Sequence, residues 1–265
     1  MISVKRKIKR LKKKRQFHFS FFGSFYKVFL RQRRLAVKNN IEIIENKGVF
    51  WHKVKIPLML LLVNNKLFSV LKVGKVPNAR RSTNSEFNQY CTKLIDNLND
   101  NKLIYTPWKE TLDIVFWSRI WPLVDKKLKN SIDEVMNALE LPLTGSHGDF
   151  NPNNLLVNNC TGEYYLIDWD NFRKTGSVVQ DIWQALCRDI FGIWDMEITT
   201  ERLKLLEIHD QNTGLTKNTN TSIKQGLLLF SFAMMRSDNV MHNKTRFEKR
   251  IRDCLRFINQ TLELA

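Results

Sequence analysis

The sequence predicts an α+β chain in which a small strand-rich part precedes a mostly helical one, and three patterns predict it. Short apolar runs at 57–63 and 67–74 flank the turn-favouring pair Asn64-Asn65, which reads as a hairpin. A second hairpin is read from Leu155-Leu156-Val157 and Tyr164-Tyr165-Leu166-Ile167 around the polar stretch 158–163. After Asp181 the apolar residues recur at helical spacing, first from Ile182 to Leu186 and again over 222–235 and 246–262, with a Thr- and Asn-rich loop at 213–221. With 265 residues, 43 % of them hydrophobic, the chain is long enough to bury a full core as one domain.

The first element is set by charge. Residues 1–38 hold 14 Lys and Arg and no acid, whereas the rest of the chain is nearly balanced, with 29 basic and 26 acidic residues. The Lys-rich run 4–15 leads into Phe17, Phe19, Phe21, Phe22, Phe25, Tyr26 and Phe29. Near an anionic membrane each basic side chain contributes up to about 1 kcal/mol, so residues 1–38 are expected to make peripheral contact with such a surface. The alternative is a solvated basic helix whose Phe residues pack on the strand-rich part. The segment lacks the apolar core and cleavage site of a secretory signal, and Ser is too sparse for a transit peptide. Its aromatics stand apart from the Lys run without an RNA-binding motif, which argues against nucleic acid as a partner. Four scattered cysteines and the absence of an apolar run of about 18 residues point to a cytoplasmic protein, at most peripheral on the inner face of the membrane.

Within the second apolar run, Lys72 sits on the strand Leu67-Phe68-Ser69-Val70-Leu71-Lys72-Val73. Ser82-Thr83-Asn84-Ser85 then offers N-caps for a helix carrying Phe87, Tyr90, Leu94 and Leu98 at helical spacing, with Glu86 in its first turn. That order matches the Lys–Glu pair by which protein kinases aim a lysine at nucleotide phosphates. A lysine in solvent and a glutamate favoured by the helix dipole is the alternative. A Gly-x-Gly-x-x-Gly loop is missing ahead of Lys72, where only Gly48 stands. Thr111 to Trp117 reads as a strand ending near 118–122, so the backbone of Phe116 to Ser118 is expected to read an adenine edge.

The chemistry is concentrated in His147-Gly148-Asp149-Phe150-Asn151-Pro152-Asn153-Asn154, followed by Leu166-Ile167-Asp168-Trp169-Asp170. In phosphoryl transfer the protein mainly positions a hydroxyl and holds magnesium against the nucleotide phosphates. Asp149 is placed to accept a hydrogen bond from the acceptor hydroxyl. Asn154, five residues on, and Asp168, at the end of the next strand, supply the hard oxygen ligands that Mg²⁺ takes. Protein kinases separate their catalytic Asp and metal-binding Asn by the same five residues, with Arg where this chain has Gly148. His147 is expected to brace the loop, and Asp170 to reach either a metal or the substrate.

These motifs, with Gly176 and Asp181 in Thr175-Gly176-Ser177-Val178-Val179-Gln180-Asp181, resemble the aminoglycoside phosphotransferase and choline kinase superfamily. The resemblance implies a two-lobed, protein-kinase-like α+β fold with a small β-rich N-lobe and a mostly helical C-lobe. It implies Asp149 as catalytic residue, Asn154 and Asp168 as metal ligands, Asp181 as a carboxylate anchoring the catalytic loop, and ATP with Mg²⁺ as cofactors. The expected division is 1–40 for the basic aromatic segment, 41–117 for the nucleotide-binding lobe and 118–265 for the catalytic loop and acceptor pocket.

The reaction expected is transfer of the ATP γ-phosphate to a hydroxyl of a small molecule or sugar, a cell-envelope glycan among them. An aminoglycoside or choline-like amino-alcohol acceptor is the alternative. Residues 178–210, with seven acids, three bases, Trp183, Phe191 and Trp194, suit a cation through ion pairing and cation–π contact, or else form a solvated face over a core. The missing Gly-rich loop motivates a third reading, a nucleotide-binding pseudokinase or membrane-associated scaffold.

Overall fold

The computed structural model describes residues 16–21, 24–30, 34–46, 55–99, 103–112, 116–192, 196–235 and 244–264. Its contacts divide into two compact units that interleave along the chain. One comprises the residues up to Phe87 with His147–Lys174, the other Asn88–Ser146 with Thr175–Ala265. The segment from His147 to Lys174 therefore belongs with the strands.

In the first unit, β1 (Gln16–Phe21), β2 (Ser24–Leu30), β3 (Met59–Asn64) and β4 (Phe68–Gly74) form an antiparallel sheet in the order β1-β2-β4-β3. The β3–β4 hairpin turns where Asn64-Asn65 predicts it, because the Asn65 side chain accepts hydrogen bonds from the backbone of Leu67 and Phe68, both at 2.9 Å. Helix α1 (Arg34–Asn46) buries Ala36, Val37, Asn40 and Ile43, an i, i+1, i+4, i+7 stripe. A second sheet joins β5 (Ala79–Arg81), β8 (Leu155–Asn158) and β9 (Tyr164–Leu166), with Leu155 opposite Leu166 as the second hairpin requires.

The basic aromatic segment is corrected by these elements. From Gln16 onward it is not a solvated basic helix but a hairpin supplying two of the four sheet strands, followed by a helix. Phe29 is 1 % exposed, and Phe19 stacks on its cross-strand partner Tyr26 at 4.9 Å, so these rings are committed to the sheet. The Lys-rich residues 1–15, Phe22 and Gly48 lie outside the described residues.

Helix α2 (Asn84–Asn99) buries Phe87, Tyr90, Leu94 and Leu98, the stripe its spacing predicts. In the second unit, β6 (Tyr105–Pro107) pairs with β7 (Glu140–Pro142), and α3 (Lys126–Ala138) lies between them in sequence, N-capped by Asp125. The longer helices that follow among the described residues are α4 (Val178–Phe191), α5 (Thr200–Thr213), α6 (Ile223–Met235) and α7 (Lys244–Leu262). Phe191, Phe230 and Phe257, from α4, α6 and α7, meet edge-on or tilted in the core. At Gly226 the ring of Trp183 lies 2.3 Å from where a Cβ would stand, so the absence of a side chain sets how closely α6 approaches α4.

Two local expectations fail here. Thr111 ends a helical turn and Phe116–Ile120 is a π-helical turn, so the described residues of the expected strand 111–117 are not in a strand, and Asp113 to Val115 lie outside the described residues. A short apolar run does not by itself distinguish strand from helix. The expected loop 213–221 contains a further helical turn, Leu215–Thr219, because the buried Leu215 and Thr219 anchor it. None of the helices among the described residues is long and apolar enough to cross a membrane.

Candidate active site

The loop after β7 is fixed from both sides. Ser146, fully buried, donates to Asp181 of α4 at 3.0 Å, and Thr144 accepts from the backbone of Val178 at 2.7 Å. The carboxylate expected to anchor this loop thus holds the residue directly before His147. His147 is itself buried, and its Nδ1 accepts from the Asp149 backbone at 3.3 Å. Its other nitrogen, Nε2, must then carry the proton that it donates to the Ile167 carbonyl at 2.9 Å. Burial pushes the imidazole down to about 4, so it is neutral at pH 7 and braces the loop against the strand that delivers Asp168.

Gly148 has φ +77°, and a Cβ there would stand 2.4 Å from the Asn171 carbonyl oxygen and 2.9 Å from its Cβ. The loop approaches the turn after Asp168 too closely for any side chain. Gly148→Ala is expected to destabilise the protein by about 2–4 kcal/mol, combining left-handed backbone strain with a clash against backbone that has little freedom to move. An unchanged thermal melting temperature in that variant would refute the close approach.

Asp149 is oriented by amides. Asn151 Nδ2 donates to its backbone oxygen at 2.8 Å and to Oδ1 at 3.1 Å, and Asn154 Nδ2 donates to the same backbone oxygen at 2.8 Å and to Oδ2 at 3.2 Å. Asn151 also caps the single turn Pro152–Asn154 by accepting from Asn153, which is why an Asn-Pro-Asn-Asn string folds here into a compact bracket. With Asn154 Nδ2 committed to Asp149, its Oδ1 is the atom left for a cation.

Asp168 ends the strand in a left-handed conformation, φ 67° and ψ 56°, which Asp tolerates better than most side chains. Its carboxylate is hydrogen-bonded and ion-paired to Lys27 Nζ, which also bonds Asp170 Oδ1 at 2.9 Å. Burial alone would raise the Asp168 carboxyl, but the charge and hydrogen bond of Lys27 outweigh it, with His147 and His18 adding to the pull, and hold it below the ordinary range. For Lys27 burial pulls downward, and Asp170 and then Asp168 more than offset it, so the ammonium stays charged. Asp170, only 6 % exposed, is also held by Asn40 Nδ2 at 2.9 Å.

Lys27, Asn154 and Asp168 line one cavity of about 670 Å³ within the first unit. Apolar walls come from Phe25, Met59, Val73, Val76, Leu156 and Ile167. An ionised carboxylate whose side chain is 40 % exposed and an amide oxygen form a donor set of hard oxygens, which fits Mg²⁺, an ion that takes one or two protein ligands and fills its shell with water and phosphate. No group of three or more His, Cys, Asp or Glu side chains converges as a metal cage among the described residues.

Three sequence expectations are corrected. Lys72 does not reach this cluster: it pairs across the sheet with Tyr26 and Leu60, the latter 43 % exposed, whereas Lys27 pairs with the buried Leu71. One residue of register separates the two lysines and puts them on opposite faces of the sheet. Glu86 does not pair with Lys72. It takes Arg80 in a two-pronged ion pair at 2.6 and 2.7 Å and closes a reciprocal capping box with Thr83, accepting from the Thr83 backbone at 2.8 Å while Thr83 Oγ1 accepts from Glu86 N at 3.3 Å. Its carboxyl falls to about 2, chiefly through Arg80. Phe116 and Ser118 belong to the π-helical turn in the second unit and are not among the residues lining the cavity, whereas Val73, Gly74, Lys75 and Val76, at the end of β4 and just beyond it, are.

The residue that sequence reasoning missed is Lys27. Its signal was present: Phe25, Lys27 and Phe29 alternate on one face of an apolar strand, a placement that solvent-seeking lysines avoid.

Solved structures share this architecture at low identity. The choline kinase LicA from Streptococcus pneumoniae superposes with a TM-score of 0.54 at 12 % identity, covering 98 % of this chain and all of the other. The GDP complex of wild-type aminoglycoside 2'-phosphotransferase-IIIa gives 0.52 at 14 % identity, covering 94 % and 89 %. A thermostable mutant of aminoglycoside phosphotransferase APH(4)-Ia, in a ternary complex with AMP-PNP and hygromycin B, gives 0.51 at 15 %, covering 92 % and 89 %. These likenesses establish the protein-kinase-like α+β fold. No curated protein matches the sequence. The family model for the phosphotransferase enzyme family matches residues 77–212, just over half of the chain and the stretch that holds Asp149, Asn154 and Asp168, and the chain belongs to that family.

Proposed function

We propose that the protein transfers the γ-phosphoryl group of ATP to a hydroxyl of a small molecule. The observation that carries this reading is the Asp149 carboxylate, gripped by two amides, one of them from the Asn154 that lines a cavity together with Asp168 and Lys27. Asp149 would orient the acceptor hydroxyl and take its proton late, since an ordinary Asp is ionised at neutral pH. Asn154 and Asp168 would hold Mg²⁺, which supplies neutralisation of the phosphate charge. Lys27, rather than Lys72, would bind the nucleotide phosphates. The apolar walls would sandwich the base, and the backbone of residues 73–76 would read the adenine edge in place of Phe116 and Ser118.

The acceptor is the finer part of the proposal. An amino alcohol or aminoglycoside accords with the names of the structural neighbours, and a sugar hydroxyl of an envelope glycan uses the same chemistry. The test is ADP release from ATP and Mg²⁺ by the full chain against choline, ethanolamine, aminoglycosides and glycan fragments. Release stimulated by one acceptor class is expected. Tight ATP binding with no release from any class would favour a nucleotide-binding scaffold, and no binding at all would refute the reading.

A further inference from the structure

We infer that Asp170, clamped by two amides of α1, is the residue that positions Lys27 for the nucleotide. This rests on the phosphotransferase reading of the same site. In protein kinases a helix glutamate holds the corresponding lysine. Here α1 offers amides at that place: Asn40 Nδ2 donates to Asp170 Oδ1 at 2.9 Å and Asn39 Nδ2 donates to the Asp170 backbone oxygen at 2.8 Å. Both asparagines are buried, at 2 % and 7 % exposure. Glu42 of the same helix pairs instead with Lys38, at 3.9 Å.

Division of labour between the two carboxylates follows from their surroundings. Asp168, with 40 % of its side chain exposed, is the one open to a cation, so it is an unreliable anchor for an ammonium once the site is loaded. Asp170, 6 % exposed and already taking an amide, has no comparable opening and stays with Lys27.

The orientation of Asn40 is forced, which makes the clamp specific. Its amide nitrogen donates to Asp170 Oδ1 and to the Ala36 carbonyl at 2.7 Å, so a flipped amide would set oxygen against two oxygens. Asn40 Oδ1 is consequently left buried without a donor, in a residue that lines the cavity together with Lys27. The helix thus acts on the lysine through Asp170, without carrying the counter-charge itself.

The test compares the full-length wild type with Asp170→Asn and Asn40→Ala by the affinity of ADP in EDTA, the KM for ATP against kcat, the Mg²⁺ concentration needed for half-maximal rate, and thermal melting. Losing one charge-assisted hydrogen bond to the lysine should weaken metal-free ADP binding and raise the KM for ATP about tenfold in Asp170→Asn, and about threefold in Asn40→Ala. The Mg²⁺ requirement should not move, because Asp168 and Asn154 are intact. A shifted Mg²⁺ requirement with unchanged metal-free ADP affinity would make Asp170 a metal ligand and overturn the inference. If Asp170→Asn fails to fold, Asn40→Ala decides by the same two readouts. Wild type that binds ADP while both variants bind it equally well sinks the inference alone, whereas wild type that binds no nucleotide sinks the phosphotransferase reading beneath it.

Discussion

Asp149→Asn is expected to lower kcat by about 10²–10⁴-fold, the range that a positioned acid–base group contributes, while leaving the melting temperature within a few degrees. The substitution is close to isosteric, but it removes one of two acceptor oxygens. Asn151 Nδ2 addresses Oδ1 at 3.1 Å and Asn154 Nδ2 addresses Oδ2 at 3.2 Å, so an asparagine there satisfies one donor and opposes the other with an NH₂ group. The replacement also loses the negative charge that would draw the acceptor proton. Steady-state kinetics beside a thermal melt separates the two effects. A retained rate would show that Asp149 has no part in the chemistry, and a collapsed melt would show a structural role instead.

Lys27→Met should lower stability by about 3 kcal/mol, because it leaves two carboxylates near one another without their shared cation. That figure sits at the low end of the range for a broken buried pair, since Asp168 keeps 40 % of its side chain exposed and Asp170 retains Asn40. For a chain of this size it corresponds to a melting temperature lower by roughly 6–12 °C. Nucleotide affinity should fall with it. Lys72→Met, one residue of register away on the other face of the sheet, should alter neither property appreciably, and the two variants measured side by side by calorimetry and ATP binding decide between the lysines. Equal losses would reinstate Lys72.

The contrast between these lysines explains how much of the site was legible in the sequence. Asp149, Asn154 and Asp168 were readable because their spacing is local: a five-residue bracket and one short hairpin place them. Lys27 was not readable from spacing, because its partners lie 141 and 143 positions away, and only its place on an apolar strand set it apart among the many basic residues of the first 38. Glu86 went astray for the opposite reason. Its best partners are local, and the Thr83-x-x-Glu86 capping box written in the sequence was a stronger claim on it than a distant lysine. The helices were foreseen where an apolar stripe repeats, as in 222–235 and 246–262, observed as α6 and α7. The π-helical turn at Phe116–Ile120, where the expected strand was to end, was not, since too few residues recur there to fix a period.

The interleaving of the strand-rich unit has a consequence for how the protein comes into being. Lys27 emerges from the ribosome early, and its counter-charges follow only when Asp168 and Asp170 have been made, 141 and 143 residues later. At typical rates of synthesis that is a delay of roughly 7–30 s. During that interval the inner face of the first sheet holds an ammonium without the two carboxylates that later meet it, so the unit settles only after the polypeptide has passed through all of the other unit's first segment.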